Sequence, residues 1–380
     1  MHKLFQVFSI LLFGSFISQL SGADEPNQRI ARMILFVPDG SDLPDNYQER
    51  FEELALRTEA FFNSELNRLG WEDRRDEIFA RDDSGNIEVL LARGHLGPVN
   101  RPQKSLPVIT GYAMDLVKSK FGDQTDTHGV YWTFYHCPDH VGMRGFRGMG
   151  SRNWGRAINR YPDVEGDIPI GANLGAEALW PMNLKGCVHE FGHALGLPHI
   201  GPKLEEQNGN TLMGPINRAF AKGTSGKPFD ERVYLSETSG AMIAFHPLFL
   251  KTHVEYSNDN YKINGSGLEI EETDDNHIHV HGSANCTQEI HSVNALDSPK
   301  RFGDYWSRPY RADVEKGGAF SLLVDHPFDA PKGSLSLYFS LEDGRNSGSG
   351  RKEVLQGGVL TVEYTGEPGD RKFTVKDTSK

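Results

Sequence analysis

The stretch His189-Glu190-Phe191-Gly192-His193-Ala194-Leu195-Gly196-Leu197-Pro198-His199 constrains the fold of this 380-residue chain more than any other. Residues four apart share one face of a helix, so His189 and His193 aim two imidazoles at one point from successive turns. Glu190, about 100° round the helix from His189, stands beside that point and is placed to take a proton from a water. Gly196 can adopt the left-handed conformation that ends a helix. The reversal returns His199 as a third ligand, and Pro198 reinforces the stop. Three neutral imidazoles leave one corner of a tetrahedral Zn2+ open, which is the arrangement of a catalytic site and not of a closed structural one. One catalytic zinc is therefore expected, with the pKa of its water lowered toward neutrality.

The pattern resembles the signature of the metzincin metalloproteases, His-Glu-x-x-His-x-x-Gly-x-x-His, at every specified position. Asn210-Thr211-Leu212-Met213-Gly214-Pro215 falls where that clan has its Met-turn, so the resemblance implies Met213 beneath the zinc. Thirteen residues separate His199 from Met213, a matrixin-like spacing, while Ile200 and Pro215 differ from the familiar subfamilies. The resemblance further implies a twisted mixed sheet on long helices and a zinc-dependent endopeptidase acting on protein or peptide substrates, with Glu190 as general base. It also implies that residues 215–221 border the pocket for the residue after the scissile bond. Two other readings use the same motif. One is a zinc amidase acting on a non-protein amide such as a peptidoglycan crosslink. The other is a secreted adhesion or binding protein with a vestigial protease domain. The intact Glu190 argues against the latter, because a structural metal needs no such carboxylate.

Residues 1–23 carry Lys3, an apolar run from Leu4 to Ile17 and the small residues Ser21-Gly22-Ala23, the features of a secretory signal peptide. An uncleaved anchor is the alternative. No later apolar run is long enough to cross a bilayer, so a soluble product is expected, extracellular or periplasmic. The formal charge of −12 argues against general nucleic-acid binding. Of the three cysteines, Cys137 and Cys187 fall near the inferred active-site layer and are the first choice for one disulfide, although connectivity is not readable from sequence.

The length suggests two domains. Met33 to Val37 is a continuous apolar run suited to a buried strand, and a helical pattern over 45–69 places Phe51, Leu54, Phe62, Leu66 and Leu69 on one side. Strands are expected over 87–92 and 130–135 and a helix over 108–121. Asn183 is the expected N-cap of the motif helix, with Val188, Phe191, Ala194 and Leu195 as its apolar face. This order predicts an α/β (α+β) metzincin-like catalytic domain over 30–248. From 250 to 380 the apolar segments at 252–256, 320–324, 334–341, 359–364 and 372–375 are separated by Gly, Asp, Asn and Pro, which predicts an all-β sandwich accessory domain. That domain is a candidate binder of a surface, a glycan or a protein.

Asp82-Asp83-Ser84-Gly85-Asn86 reads as a turn, and Ca2+ there is unsupported because the spaced calcium-loop pattern is absent. Residues 141–160 hold Arg144, Arg147, Arg152, Arg156 and Arg160 without a phosphate-loop pattern, and read as a loop that can form the substrate rim and favour acidic side chains. His128, His136 and His140 read as structural or exposed, with a second metal site as the alternative. His277, His279 and His281 alternate on one strand face, where an exposed polar surface is the simple reading and a metal site the sharper one.

Overall fold

The computed structural model describes residues 29–96, 102–122, 129–138, 145–162, 174, 184–203, 209–216, 219–220, 232–252, 263–273, 275–299, 304–347 and 360–377. The segment expected to be a signal peptide, His128, His140, Arg144 and Asn183 lie outside these residues, as do residues 253–256.

Strand β1 (Ala31–Pro38) is the centre of the N-terminal region. It pairs in parallel with β2 (Val89–Gly94) on one side and β3 (Val130–Tyr135) on the other. β5 (Gly155–Arg160) continues the sheet in parallel, and β4 (Arg147–Gly150) closes it as an antiparallel edge, giving the order β2-β1-β3-β5-β4. Successive strand residues face opposite sides, and both sides here are covered. Met33, Leu35 and Val37 enter one core, which helix α1 (Tyr47–Arg68) shares, while Ile34 and Phe36 enter a second core beneath α2 (Pro102–Phe121). The continuous apolar run thus reflects double-sided burial. α1 buries Phe51, Leu54, Phe62 and Leu66, with Leu69 packed against them, as its periodicity predicted.

α2 starts six residues before its expected beginning and runs through Pro107. Burial of Ile109, Ala113 and Val117 against β1–β3 opposes the propensity cost of that proline. Helix α3 (Leu184–Ala194) carries the motif and lies on the first face, burying Val188, Phe191 and Ala194. Phe191 sits among the rings of Trp132, Phe79 and Phe62 at centroid distances of 4.9, 5.4 and 6.1 Å.

α4 (Glu237–Ala244), N-capped by the Ser236 hydroxyl, leads into the C-terminal region. There, β8 (Asn264–Glu272), β9 (Ile278–Asn285) and β12 (Ala319–Val324) form a three-stranded antiparallel sheet in the order β12-β9-β8. β10 (Ile290–Pro299), β11 (Arg308–Asp313), β13 (Lys332–Leu341), β14 (Leu360–Thr365) and β15 (Lys372–Asp377) form a five-stranded one in the order β11-β10-β13-β14-β15. Ile278, Val280 and Leu322 from the first sheet and Val293, Leu337 and Phe339 from the second share one core. Short strands β6 (Asn210–Thr211) and β7 (Val233–Tyr234) pair beside α3.

The two regions are tightly joined. Leu296 of β10 enters the α1/α3 core. Arg152 and Asp343, both buried, pair at 2.9 Å, and Asn346 donates to the Met242 carbonyl at 2.8 Å. Among the described residues no helix is long and apolar enough to cross a membrane.

Candidate metal centre

α3 ends where the motif requires. The Leu197 amide bonds the Gly192 carbonyl at 3.1 Å and Gly196 has φ of 89°, a conformation L side chains rarely adopt. This reversal brings His199 back, and one ring nitrogen from each of His189, His193 and His199 lies within 4.8 Å of the others. The His189 Nδ1 lies 2.9 Å from the Leu212 carbonyl and the His193 Nδ1 2.7 Å from the Leu197 carbonyl. A carbonyl only accepts, so in each ring Nδ1 carries the proton and Nε2 keeps its lone pair for a ligand. Burial holds the pKa of both His189 and His193 below the usual imidazole value, which keeps them neutral. Neutral nitrogen donors, fixed tautomers and convergent geometry all fit a borderline divalent cation such as Zn2+.

Glu190 is half-buried beside the trio. Burial pushes its carboxyl up to about 7, opposed by a hydrogen bond from the Gly148 amide. That bond exists because edge strand β4 lies directly on α3. A Cβ at Gly148 would fall 2.0 Å from the Glu190 carbonyl oxygen, and one at Gly150 only 1.8 Å from that of Ala194. Glycine at these positions lets the sheet edge and helix touch, which places an extended backbone alongside the carboxylate.

Met213 lies buried under α3 with its sulfur against Gly192, where an added Cβ would stand 2.6 Å away. The turn around it is tied to the helix twice. Leu212 accepts from His189, and Lys185 donates from Nζ to the Gly214 and Pro215 carbonyls at 2.9 and 2.7 Å. Lys185 is fully buried, and burial lowers its pKa to about 7. Sequence reading passed over this lysine, although its place one turn before His189 on the buried face was a usable signal.

Tyr305 was also missed. It sits in a 3-10 turn, Asp304–Trp306, of the C-terminal region, and its ring stacks on His199 at a centroid distance of 3.7 Å with 26° between planes. The same ring is 5.9 Å from His189. Backbone docking places it there. The Gly201 amide donates to the Ser307 carbonyl at 2.8 Å, and a Cβ at Gly201 would meet the Trp306 backbone at 2.7 Å.

Cys137, Cys187 and Cys286 are free thiols, so the disulfide expected between the first two is not formed. Cys187 belongs to the α3 side of the first sheet and Cys137 packs on the α2 side, so the sheet separates them. Asp82 Oδ1 accepts the amides of Ser84 and Asn86 and serves its own turn. His136 packs edge-on against Tyr161. Of the arginine-rich segment, Arg147 and Arg156 line a cavity of about 360 Å³ beneath β4 with Tyr131, Thr133 and Leu106, whereas Arg152 is committed to Asp343.

No family model matches the chain, and no curated protein sequence matches it. Solved structures do. Wild-type OgpA from Akkermansia muciniphila superposes with a TM-score of 0.68 at 18% identity, covering 92% of this chain and 96% of that one. Catalytically inactive OgpA in complex with an O-glycopeptide (glycodrosocin) substrate gives the same values. A second crystal form of the wild type gives a TM-score of 0.67 at 19% identity, over 92% of this chain and 95% of that one. The likeness spans both regions, so the arrangement of the mixed sheet, α3 and the C-terminal sheets is a fold shared with OgpA.

Proposed function

We propose that this chain is an exported zinc-dependent endopeptidase of metzincin type. His189, His193 and His199 would hold the metal and Glu190 would be the general base. The observation that carries the reading is the convergence of three ring nitrogens within 4.8 Å, two of them with tautomers fixed by carbonyls, next to a half-buried carboxylate. A Zn2+ held there would supply Lewis acidity toward the scissile carbonyl and the attacking water. Glu190 accepts the proton that the water loses as its oxygen bonds to the carbonyl carbon. The same carboxyl then delivers that proton to the amide nitrogen, the C–N bond breaks, and an acid and an amine leave. Gly148 holds the carboxylate in place through its amide. β4, at the edge of the sheet with no further strand beside it among the described residues, would supply main-chain donors and acceptors for an extended peptide beside Glu190. Tyr305 walls the site and fixes the His199 ring by stacking, a positioning role in which the C-terminal β region takes part directly.

OgpA was captured with an O-glycopeptide substrate, and with the fold shared over nearly the whole chain the same substrate class is the reading for this protein. The experiment compares O-glycosylated peptides with their enzymatically deglycosylated counterparts, fragment ends being sequenced by mass spectrometry. Cleavage of the peptide backbone in the glycosylated form, at least tenfold faster than in the bare one, is expected. Equal rates would retain the peptidase and remove the glycopeptide preference. Intact peptides of both kinds after incubation with zinc-loaded protein would overturn both.

A further inference from the structure

The C-terminal region holds a second convergence of metal-binding side chains, built on strands. In β9 Ile278 and Val280 point into the shared core, so His279 and His281, between and after them, point to the outer face of the three-stranded sheet. Residues directly opposite on antiparallel strands share a face, and the register sets Glu271 of β8 opposite His279 and Glu269 opposite His281. The imidazoles are 5.7 Å apart with 32° between planes, and one ligand atom from each of Glu271, His279 and His281 lies within 4.8 Å of the other two. A cation bonded at about 2.0–2.2 Å to each donor needs slightly closer spacing, which small rotations of the exposed Glu271 side chain and the two half-buried imidazoles supply. Just before β9, His277 meets His326 edge-on at 5.9 Å, so the neighbourhood is rich in imidazole.

The position within the sheet gives such a site a use. β8 is an edge strand, and its register against β9 shifts between Ser266 and Glu269, an irregularity that weakens the ladder. Glu271 lies two residues beyond the shift. A cation shared between Glu271 and the two β9 histidines would bolt the displaced edge to its neighbour.

We propose that Glu271, His279 and His281 form a second divalent-metal site, independent of the motif histidines, which takes a borderline cation of the Zn2+ or Cu2+ class and clamps β8 to β9. One imidazole pair and one carboxylate suit these ions better than Mg2+ or Ca2+, which favour oxygen donors. Glu271 is exposed and both imidazoles are only half-buried, whereas His189 under α3 is buried, so the ion would exchange more readily than one held there.

The test uses the full-length protein, equilibrated by dialysis against a fixed free Zn2+ concentration, with bound metal counted by mass spectrometry. Wild type is expected to hold one ion more than the His279→Ala/His281→Ala variant, and the His189→Ala/His193→Ala variant is expected to keep that ion. Hydrogen exchange supplies a readout separate from peptidase activity. Zn2+ should slow the β8 amides in the His189→Ala/His193→Ala protein and leave them unchanged when His279 and His281 are also replaced. Equal metal content in wild type and the His279→Ala/His281→Ala variant, or β8 exchange insensitive to Zn2+, would overturn the proposal. The replaced side chains lie on the outer face of the sheet, and an unchanged circular-dichroism spectrum verifies that these variants fold.

Discussion

The N-terminal and C-terminal regions contribute to the candidate site in different ways. All three histidines and Glu190 come from eleven consecutive residues of the first region, carried by one helix and its reversal. Tyr305, which stacks on the last of them, comes from the second region, 106 residues later in the chain. The reactive groups are local because helix geometry alone can aim them. Their surroundings are assembled by packing between regions, through the Arg152–Asp343 pair, the docking of Gly201 on Ser307 and the entry of Leu296 into the first core. Local sequence therefore specifies the chemistry, and tertiary contact specifies the environment.

The largest test of this contrast breaks the local half. His193→Ala should remove the motif metal and reduce peptide cleavage to background, and chelation of wild type should do the same, reversed by added zinc. Retained turnover in the metal-free variant would break the comparison. Next comes the junction. Asp343→Ala removes the buried carboxylate paired with Arg152, itself 4% exposed, and should cost about 3–5 kcal/mol, read as a lower denaturation midpoint. A loss under about 1 kcal/mol, the usual worth of an exposed ion pair, would mean that the junction is not held there.

A smaller effect is expected at Tyr305. Tyr305→Ala should lower kcat/KM by about tenfold, corresponding to about 1.4 kcal/mol. Tyr305→Phe, which keeps the stacked ring, should restore most of the activity and thereby separate positioning from hydroxyl chemistry. The smallest effect is on pH dependence. His291 lies against the rings of Trp71 and Phe245 with Arg311 and Arg74 nearby, and burial followed by these two charges holds its pKa down to about 3. Unfolded, it would titrate near the ordinary 6.5, so the unfolded chain binds the extra proton and stability falls as pH drops from that value toward 3. His246, held near 3 by burial beside Arg29 and Arg152, acts with the same sign. His291→Phe keeps an aromatic ring and should flatten the acid side of the stability curve. An unchanged slope would show that this histidine does not contribute.

Much of the first region was legible because its signals are periodic. The Met33–Val37 run, the α1 stripe and the strand at Val130–Tyr135 record burial on faces that the sequence spells out. The motif also encoded its own turn through Gly196. Legibility failed where a feature depends on contacts distant in sequence. α2 runs through Pro107 because the sheet beneath it outweighs local propensity. Cys137 and Cys187 fall close in one imagined layer, but lie on opposite faces of a real sheet. Strands β10 and β11 were not anticipated; their runs include Ser292, Asn294, Asp297 and Arg308, polar residues that are buried in the folded chain. Asn294, for example, donates to the Ser292 and Ser340 hydroxyls. Tyr305 had no local pattern at all.

The central claim, that Glu190 performs proton transfer at a metal centre held by three histidines, is tested most directly by one paired measurement. Wild type and Glu190→Ala, prepared identically and assayed for zinc content, are incubated with the same O-glycosylated protein, and fragments are counted over time. The account predicts equal zinc in both and a rate at least about 10²-fold lower in the variant, the scale of a lost general base. Cleavage by Glu190→Ala at the wild-type rate would contradict it.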